Sequence, residues 1–188
     1  MAGPDLESLA SDVRYLRNRF DIQDAIHRYS RGIDRLDQPL LESAYHADAI
    51  DDRGPFVGSP AEFVAWVLPH VGGAGGTSHN ISNITCEIDG DEAHTETYVT
   101  FAVWSADGKT VSVGGGRYLD RLQRREGVWG IIRRETMMDY VFQAPTNPLP
   151  PEILTGRRDK SDRSYQRPLD LTPDARRRFE QKLNRPIG

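Results

Sequence analysis

The sequence has little cysteine and no long apolar segment. Its 188 residues include one cysteine, Cys86, which excludes a disulfide framework and any multi-cysteine metal site. No apolar run approaches the ~20 residues of a membrane-spanning helix, and the charged N-terminal stretch is unlike a secretory signal peptide. With 28% charged residues and a mean hydropathy of -0.60, the chain is expected to be a soluble, cytoplasmic globular protein.

Charge is unevenly distributed along the chain. Residues 1–140 contain 14 lysines and arginines against 22 aspartates and glutamates, whereas residues 141–188 contain 10 against 6. A nucleic-acid-binding protein needs a concentrated basic face on its folded part. Because the part of this chain with fold-like apolar patterns is acidic, we predict no nucleic-acid partner.

Apolar residues at helical spacing begin the chain. Intervals of three and four residues place five of them on one helix face: Leu6, Leu9, Val13, Leu16 and Phe20. Asp21 is the predicted N-cap of a renewed helix that ends near Gly32. A third helical stretch is predicted over residues 40–45, before a short strand and turn in residues 51–58.

A capping box predicts the next helix. Ser59 is the expected N-cap, Pro60 occupies the first helical position and Glu62 completes the box. The helix presents Trp66 on its apolar face and is expected to end at Pro69. A glycine-rich loop follows, and it lacks the spacing of a phosphate-binding loop.

The second half of the folded part is predicted to be all strand. Runs rich in β-branched and aromatic residues are separated by Asp-Gly and Glu-Gly turns and cover residues 79–88, 93–105, 111–125 and 128–142. Helices followed by a long antiparallel meander predict an α+β fold, with the helices packed on a strongly bent sheet. We expect one domain over residues 1–143 and a Pro-rich, basic C-terminal arm over residues 144–188, with a short helix after Pro173.

The candidate functional residues favour general acid–base catalysis. No zinc-binding spacing, nucleophile elbow or dinucleotide glycine pattern occurs, so we predict no metal and no cofactor. His79, which follows the glycine-rich loop, is the candidate base. Asp34, near the end of a helix, is the candidate partner that would orient the ring. A structural histidine and a helix-end aspartate are the alternative, and the residues alone leave both open.

Five segments together carry a family resemblance. They are the run DIQDAIHRY at 21–29, GID at 32–34, YHADA at 45–49, His79, and GVW at 127–129. In order and spacing they resemble the SnoaL-like branch of the nuclear transport factor 2-like superfamily over roughly residues 8–142. The resemblance implies a cone-shaped α+β fold. Enzymes of this branch that use an Asp–His dyad include scytalone dehydratase, bile-acid 7α-dehydratase and hexachlorocyclohexane dehydrochlorinase.

The resemblance also implies roles for individual residues. Asp34 and His79 fall on the positions of the dyad, Tyr29 on that of a catalytic tyrosine, and Arg134 on that of a pocket arginine. Tyr29 is five residues before Asp34, about 140° around an ideal helix, so we expect the helix to loosen near Gly32. The residues alone leave open the alternative that Tyr29 is a core aromatic residue with a solvated hydroxyl group. The dyad-bearing relatives are trimers, which implies a homo-oligomer.

The predicted pocket is apolar. Strand alternation and the resemblance place six further residues on its wall, namely Val99, Phe101, Gly114, Gly116, Tyr118 and Met138. Trp66, on the apolar face of the preceding helix, is the seventh predicted substrate-binding residue. Such a lining suits an apolar alicyclic, steroid-like or polyketide-like small molecule.

The sequence therefore predicts a cofactor-independent lyase of the dehydratase type. In this hypothesis His79 removes a proton, Asp34 supports it and Tyr29 acts as the acid. An isomerase or polyketide cyclase with the same base is the nearest alternative. A non-catalytic small-molecule-binding protein is the third, because one fold hosts many functions.

Overall fold

The computed structural model describes residues 5–183, which form two compact units. The first unit, which ends at Ile153, contains three helices and six strands: α1 (Leu6–Asp34), α2 (Gln38–Glu42), β1 (Tyr45–Asp52), β2 (Val57–Gly58), α3 (Pro60–Gly72), β3 (Gly76–Asp89), β4 (Glu92–Trp104), β5 (Thr110–Arg125) and β6 (Val128–Pro145). The second unit begins at Leu154 and contains a 3-10 turn at Arg163–Tyr165 and helix α4 (Pro173–Leu183). The predicted helix after Pro173 is thereby confirmed. Within residues 5–183, no helix is both long and apolar enough to cross a membrane.

One six-stranded sheet organises the first unit. Its order is β2-β1-β6-β5-β4-β3, with every neighbouring pair antiparallel except β1 and β6, which are parallel. Helix α1 packs against β3 and β6, and α3 packs against β1. Three of the hairpin turns contain a glycine with a positive φ of 59°, 68° or 81°, at Gly90, Gly108 and Gly127. The predicted α+β class and the four long strands are confirmed.

The first two predicted helices are one. Helix α1 continues through Asp21 to Asp34, so the prediction of a new start at Asp21 is wrong. No glycine or proline interrupts the first 25 residues of α1, and an aspartate inside a helix costs only a fraction of a kcal/mol, of the order of 0.5. Helix α2 ends at Glu42 rather than at residue 45, because Tyr45 already begins β1.

The capping box of α3 is present as predicted. The Ser59 hydroxyl accepts from the backbone amide of Glu62 at 3.3 Å, and the Glu62 carboxylate accepts from the backbone amide of Ser59 at 2.8 Å. The predicted end at Pro69 is wrong, since the helix runs on to Gly72. A proline in the last turns of a helix removes one backbone hydrogen bond without preventing the final turn.

Gly32 allows α1 and α2 to approach closely. A Cβ atom at this position would lie 2.6 Å from the backbone nitrogen of Leu41, whose side chain is fully buried. The backbone amide of Asp37 donates to the Gly32 carbonyl at 2.8 Å, which closes the turn between the two helices. The absence of a side chain therefore fixes the end of α1, where Asp34 lies.

We expect Gly32→Ala to lower the free energy of unfolding by roughly 1–3 kcal/mol, because the added methyl group overpacks against backbone. Gly72→Ala is the matched control. It is also helical, but no atom lies within 4 Å of its added methyl group. Because alanine has a higher helix propensity than glycine, this variant should leave the free energy of unfolding unchanged or raise it by up to about 1 kcal/mol. Urea denaturation of both variants measures this, and equal effects would contradict the close-approach argument.

Candidate active site

Asp34 and His79 are joined by two hydrogen bonds. Asp34 is the last residue of α1, and His79 lies in β3. The ring Nδ1 of His79 is 2.7 Å from Asp34 Oδ1, and the backbone amide of His79 donates to Asp34 Oδ2 at 2.9 Å. Both carboxylate oxygens are thus used to hold one residue, which fixes the ring and the strand together.

The carboxylate of Asp34 is held in its ionised form. Its side chain is 15% exposed. Burial raises the pKa of Asp34, but hydrogen bonds and charge from His79, with a hydrogen bond from Thr77, lower it more. The net pKa of Asp34 lies below its usual value, so the group is a carboxylate at neutral pH.

The orientation of the His79 ring follows from this contact. A carboxylate can only accept, so Nδ1 carries the proton that it donates to Asp34. In the neutral ring, Nε2 then has a free lone pair. The His79 ring is 11% exposed, stacks 6.0 Å from the Phe101 ring and lies in a cavity wall. The arrangement is that of a histidine base with a supporting carboxylate.

The cavity next to His79 has a volume of about 250 Å³. Seven residues with a predicted catalytic or binding role line it: Tyr29, Trp66, His79, Val99, Phe101, Tyr118 and Met138. Further lining residues were not among the predictions, namely Ile33, Arg53, Pro55, Val67, His70, Val71, Val103 and Thr136. Most of the wall is apolar, so the few polar groups determine how a ligand is oriented.

Tyr29 has a fully buried side chain with a bonded hydroxyl group. The Arg53 guanidinium donates to this hydroxyl at 2.5 Å, and Tyr118 is also hydrogen-bonded to it. The ring stacks on Phe63 at 6.1 Å. Since arginine is only a donor, the Tyr29 oxygen accepts from Arg53. The contact with Arg53 therefore places a positive charge next to this oxygen.

The expected loosening of α1 does not occur. The helix remains regular through Asp34, and it is the His79 ring rather than Asp34 that shares the cavity wall with Tyr29. Asp34 is not among the residues lining this cavity. The base therefore comes from β3, and the end of α1 contributes only the carboxylate that holds the His79 ring.

Arg53 is itself held by a buried carboxylate. Its Nε lies 2.8 Å from Asp51 Oδ1, and Asp51 Oδ2 accepts from the Tyr45 hydroxyl at 2.5 Å. The guanidinium carbon lies 4.2 Å from the centre of the Phe63 ring. Burial lowers the pKa of Arg53, but Tyr29 and Asp51 raise it more, so the net pKa is above its usual value. Arg53 is therefore a fixed positive charge beside the Tyr29 hydroxyl.

Arg134 is placed outside the cavity. It is fully buried, and Nε and Nη2 donate to the two oxygens of Asp120 at 2.7 and 2.6 Å. Its guanidinium carbon lies 4.2 Å from the ring centres of both Tyr29 and Tyr118. Arg134 thus supports the two tyrosines from behind, and Arg53 is the arginine on the cavity wall. The family resemblance implied a pocket arginine, but it did not indicate whether that arginine lies on the cavity wall or behind the two tyrosines.

Gly114 and Gly116 also do not line the cavity. A Cβ atom at Gly114 would lie 2.4 Å from the Phe101 ring, which therefore covers this glycine. At Gly116 it would lie 2.0 Å from the carbonyl oxygen of Met137, next to an irregularity in the β5–β6 pairing. Their small size makes room for protein neighbours rather than for a ligand.

One missed residue had a usable sequence signal. His70 lies seven residues after Phe63 and four after Trp66, which places all three on one face of α3. Its ring stacks on Trp66 at 5.9 Å. Arg53 had no such signal, because it follows β1 directly in the turn before Gly54 and no period applies there.

Similar proteins share this fold. A dehydrochlorinase for hexachlorocyclohexane, LinA-type3 from Novosphingobium barchaimii LL02, superposes with a TM-score of 0.64 at 21% identity, over 74% of this chain and 99% of its own. A protein named after scytalone dehydratase, from Novosphingobium aromaticivorans, gives 0.62 at 20% identity, over 77% and 99%. Kfla4162 from Kribbella flavida gives 0.63 at 18% identity, over 68% and 95%.

The sequence itself assigns the family. No functionally curated protein is similar enough to match it. The SnoaL-like domain profile matches residues 14–135, well over half of the chain and every residue of the candidate site except Met138 and Thr136. The protein therefore belongs to the SnoaL-like domain family.

Proposed function

We propose that the protein is a lyase that eliminates water, or a similar leaving group, from a small apolar molecule without a cofactor. The observation that carries this proposal is the His79 ring, held through Nδ1 by ionised Asp34 and lying in the wall of an apolar cavity. A tyrosine hydroxyl polarised by Arg53 belongs to the same cavity. Base and acid are therefore available together.

His79 performs the first half of the reaction. Nε2 removes a proton from a carbon next to an electron-withdrawing group, and the C–H electron pair becomes the new C=C bond. The ring becomes an imidazolium, whose charge the Asp34 carboxylate stabilises across the 2.7 Å contact. General base catalysis of this type contributes roughly 10²–10⁴-fold in rate.

Tyr29 performs the second half. As the C–O bond breaks, the Tyr29 hydroxyl gives its proton to the departing oxygen, which leaves as water. The resulting phenolate lies 2.5 Å from the Arg53 guanidinium, which stabilises it. Transfer of the imidazolium proton back to the phenolate, directly or through water, restores both groups.

The cavity restricts the substrate. Its volume of about 250 Å³ is below the common range of roughly 300–1,000 Å³ for small-molecule pockets. A compact alicyclic or aromatic molecule of one or two rings fits this space better than a steroid. Val99, Phe101 and Trp66 would contact its apolar part.

An isomerase or cyclase is the second candidate. The Tyr29–Arg53 contact could hold an enolate oxygen as well as a leaving group. His79 would then return its proton to another carbon, with no change in mass.

We expect purified protein, incubated with hydroxylated alicyclic and aromatic ketones, to convert at least one compound to a product lighter by one water. His79→Ala should lower that rate by about 10²–10⁴-fold, because the base is lost. His94→Ala, an exposed histidine on β4, is the control that should retain activity.

Mass spectrometry of the products separates the candidates. An isobaric product that requires His79 would replace the lyase by the isomerase or cyclase. Turnover that persists in His79→Ala would rule out the mechanism. Saturable binding without turnover in any compound would favour a binding protein.

The charge of Asp34 should make stability depend on pH. Its folded-state pKa is below the unfolded value of about 3.9, so the unfolded chain takes up the proton first as the pH falls. The stabilisation is therefore complete above about pH 5 and is lost as the pH falls through the native pKa. Asp34→Asn should cost about 1–3 kcal/mol at pH 7, and the difference from wild type should shrink in acid.

Denaturation of both proteins between neutral and acid pH measures this difference. Asp24→Asn, at an exposed aspartate of the same helix, is the control for removing one carboxylate from α1. A constant gap between Asp34→Asn and wild type across the range would contradict an ionised Asp34 that is stabilised by its contacts.

A further inference from the structure

The first half of α1 exposes a stripe of large apolar side chains. Helix α1 buries residues only from Ile22 onward. Before that point its apolar residues have exposed fractions of 80, 48, 56, 52 and 64%, at Leu6, Leu9, Val13, Leu16 and Phe20. Single exposed apolar residues are ordinary, but a continuous stripe marks an interaction surface.

The spacing of this stripe differs from that of the buried half. Intervals of 3, 4, 3 and 4 residues repeat every seven positions, which is the a/d seam of a two-stranded coiled coil. The same phase continued past Phe20 would reach Gln23 and His27, which are polar. Beyond Phe20, Ile22, Ala25, Ile26 and Tyr29 instead form the broad face of a helix that packs on a core. The seam is therefore confined to Leu6–Phe20.

The charges beside the seam complement a second copy of the same helix. With Leu6 at position a, the flanking g positions hold Asp12 and Arg19. In an antiparallel pair that places Val13 opposite Leu16 of the second copy, each Asp12 is adjacent to the other copy's Arg19. Twofold symmetry makes this contact twice. The remaining flank brings Arg17 next to Ala10, so no like charges are directly opposed.

The packing of the C-terminal half of α1 in the core compensates for the short length of the seam. Two heptads alone are marginal because the helix must first be nucleated. Here the C-terminal half of α1 is packed in the core, and Asn18 accepts hydrogen bonds from Trp129 and Arg124 at 3.2 and 3.1 Å. The exposed half therefore extends a helix that is already formed, so it does not have to be nucleated separately. The SnoaL-like match begins only at residue 14, so half of the seam precedes the shared domain.

We infer that residues Leu6–Phe20 of α1 form a self-association surface, which pairs antiparallel with the same segment of a second copy of this chain. The full-length protein should show an average mass that increases with concentration. Leu9→Asp/Leu16→Asp removes two seam residues and should abolish this association. Ser8→Asp/Ser11→Asp adds the same two charges on the opposite face of the helix and should not.

Sedimentation velocity over a hundredfold concentration range tests the proposal, with circular dichroism to establish that each variant is folded. A wild type of constant monomeric mass, or a folded seam variant that associates as wild type does, would overturn it. If another surface holds an oligomer together, the seam variant will associate as the wild type does, and this result would also overturn the proposal.

Charge exchange tests the partner and the register. Asp12→Arg and Arg19→Asp should each weaken association at least several-fold, because each places like charges together across the pair. The double variant Asp12→Arg/Arg19→Asp should restore it. A double variant that is as weak as the singles would overturn the antiparallel pairing.

Discussion

The contact between Asp34 and His79 links the fold to the chemistry. It connects the C-terminal residue of the longest helix to an edge strand of the sheet, through a backbone amide and a ring nitrogen at once. Two residues before Asp34, Gly32 lets α2 pack closely on the last turn of α1, because a Cβ atom there would meet the backbone of Leu41. One carboxylate therefore positions the strand and selects the ring nitrogen that is free to act as a base.

The second polar region of the cavity, around Tyr29, depends on buried charges whose desolvation costs free energy. Arg53 and Asp51 form one buried ion pair, and Arg134 and Asp120 form another. Buried ion pairs contribute little net stability, because desolvation offsets most of the attraction. Their contribution here is positional: the two arginines contact Tyr29 from its hydroxyl group and from its ring face. Tyr29, Arg53 and His79 line the same mostly apolar cavity, which suits a substrate that loses a proton and a leaving group from adjacent carbons.

Local signals in the sequence predict the local structure well. Ser59 and Glu62 form the predicted capping box, and the glycines of the Asp-Gly and Glu-Gly turns have the positive φ that such turns require. Long-range pairing is different, since no local rule connects Asp34 to a residue 45 positions away. The residues alone left this pairing with His79 open, and the family resemblance placed both residues at the dyad positions. The resemblance placed Arg134 at the position of a pocket arginine, but no local rule gives the depth of a side chain in a sheet, which here depends on its partner Asp120. Arg53 was missed because a turn has no period from which to read direction.

The tautomer of His79 decides whether this histidine can act as the base. Nitrogen-15 NMR of the histidine side chains distinguishes a protonated ring nitrogen from one with a free lone pair. We predict that neutral His79 carries its proton on Nδ1, with a strongly downfield proton signal from the bond to Asp34, and that Asp34→Asn removes this signal. A neutral ring protonated on Nε2 would contradict the proposed mechanism, because the ring nitrogen opposite Asp34 would then have no lone pair with which to remove the substrate proton.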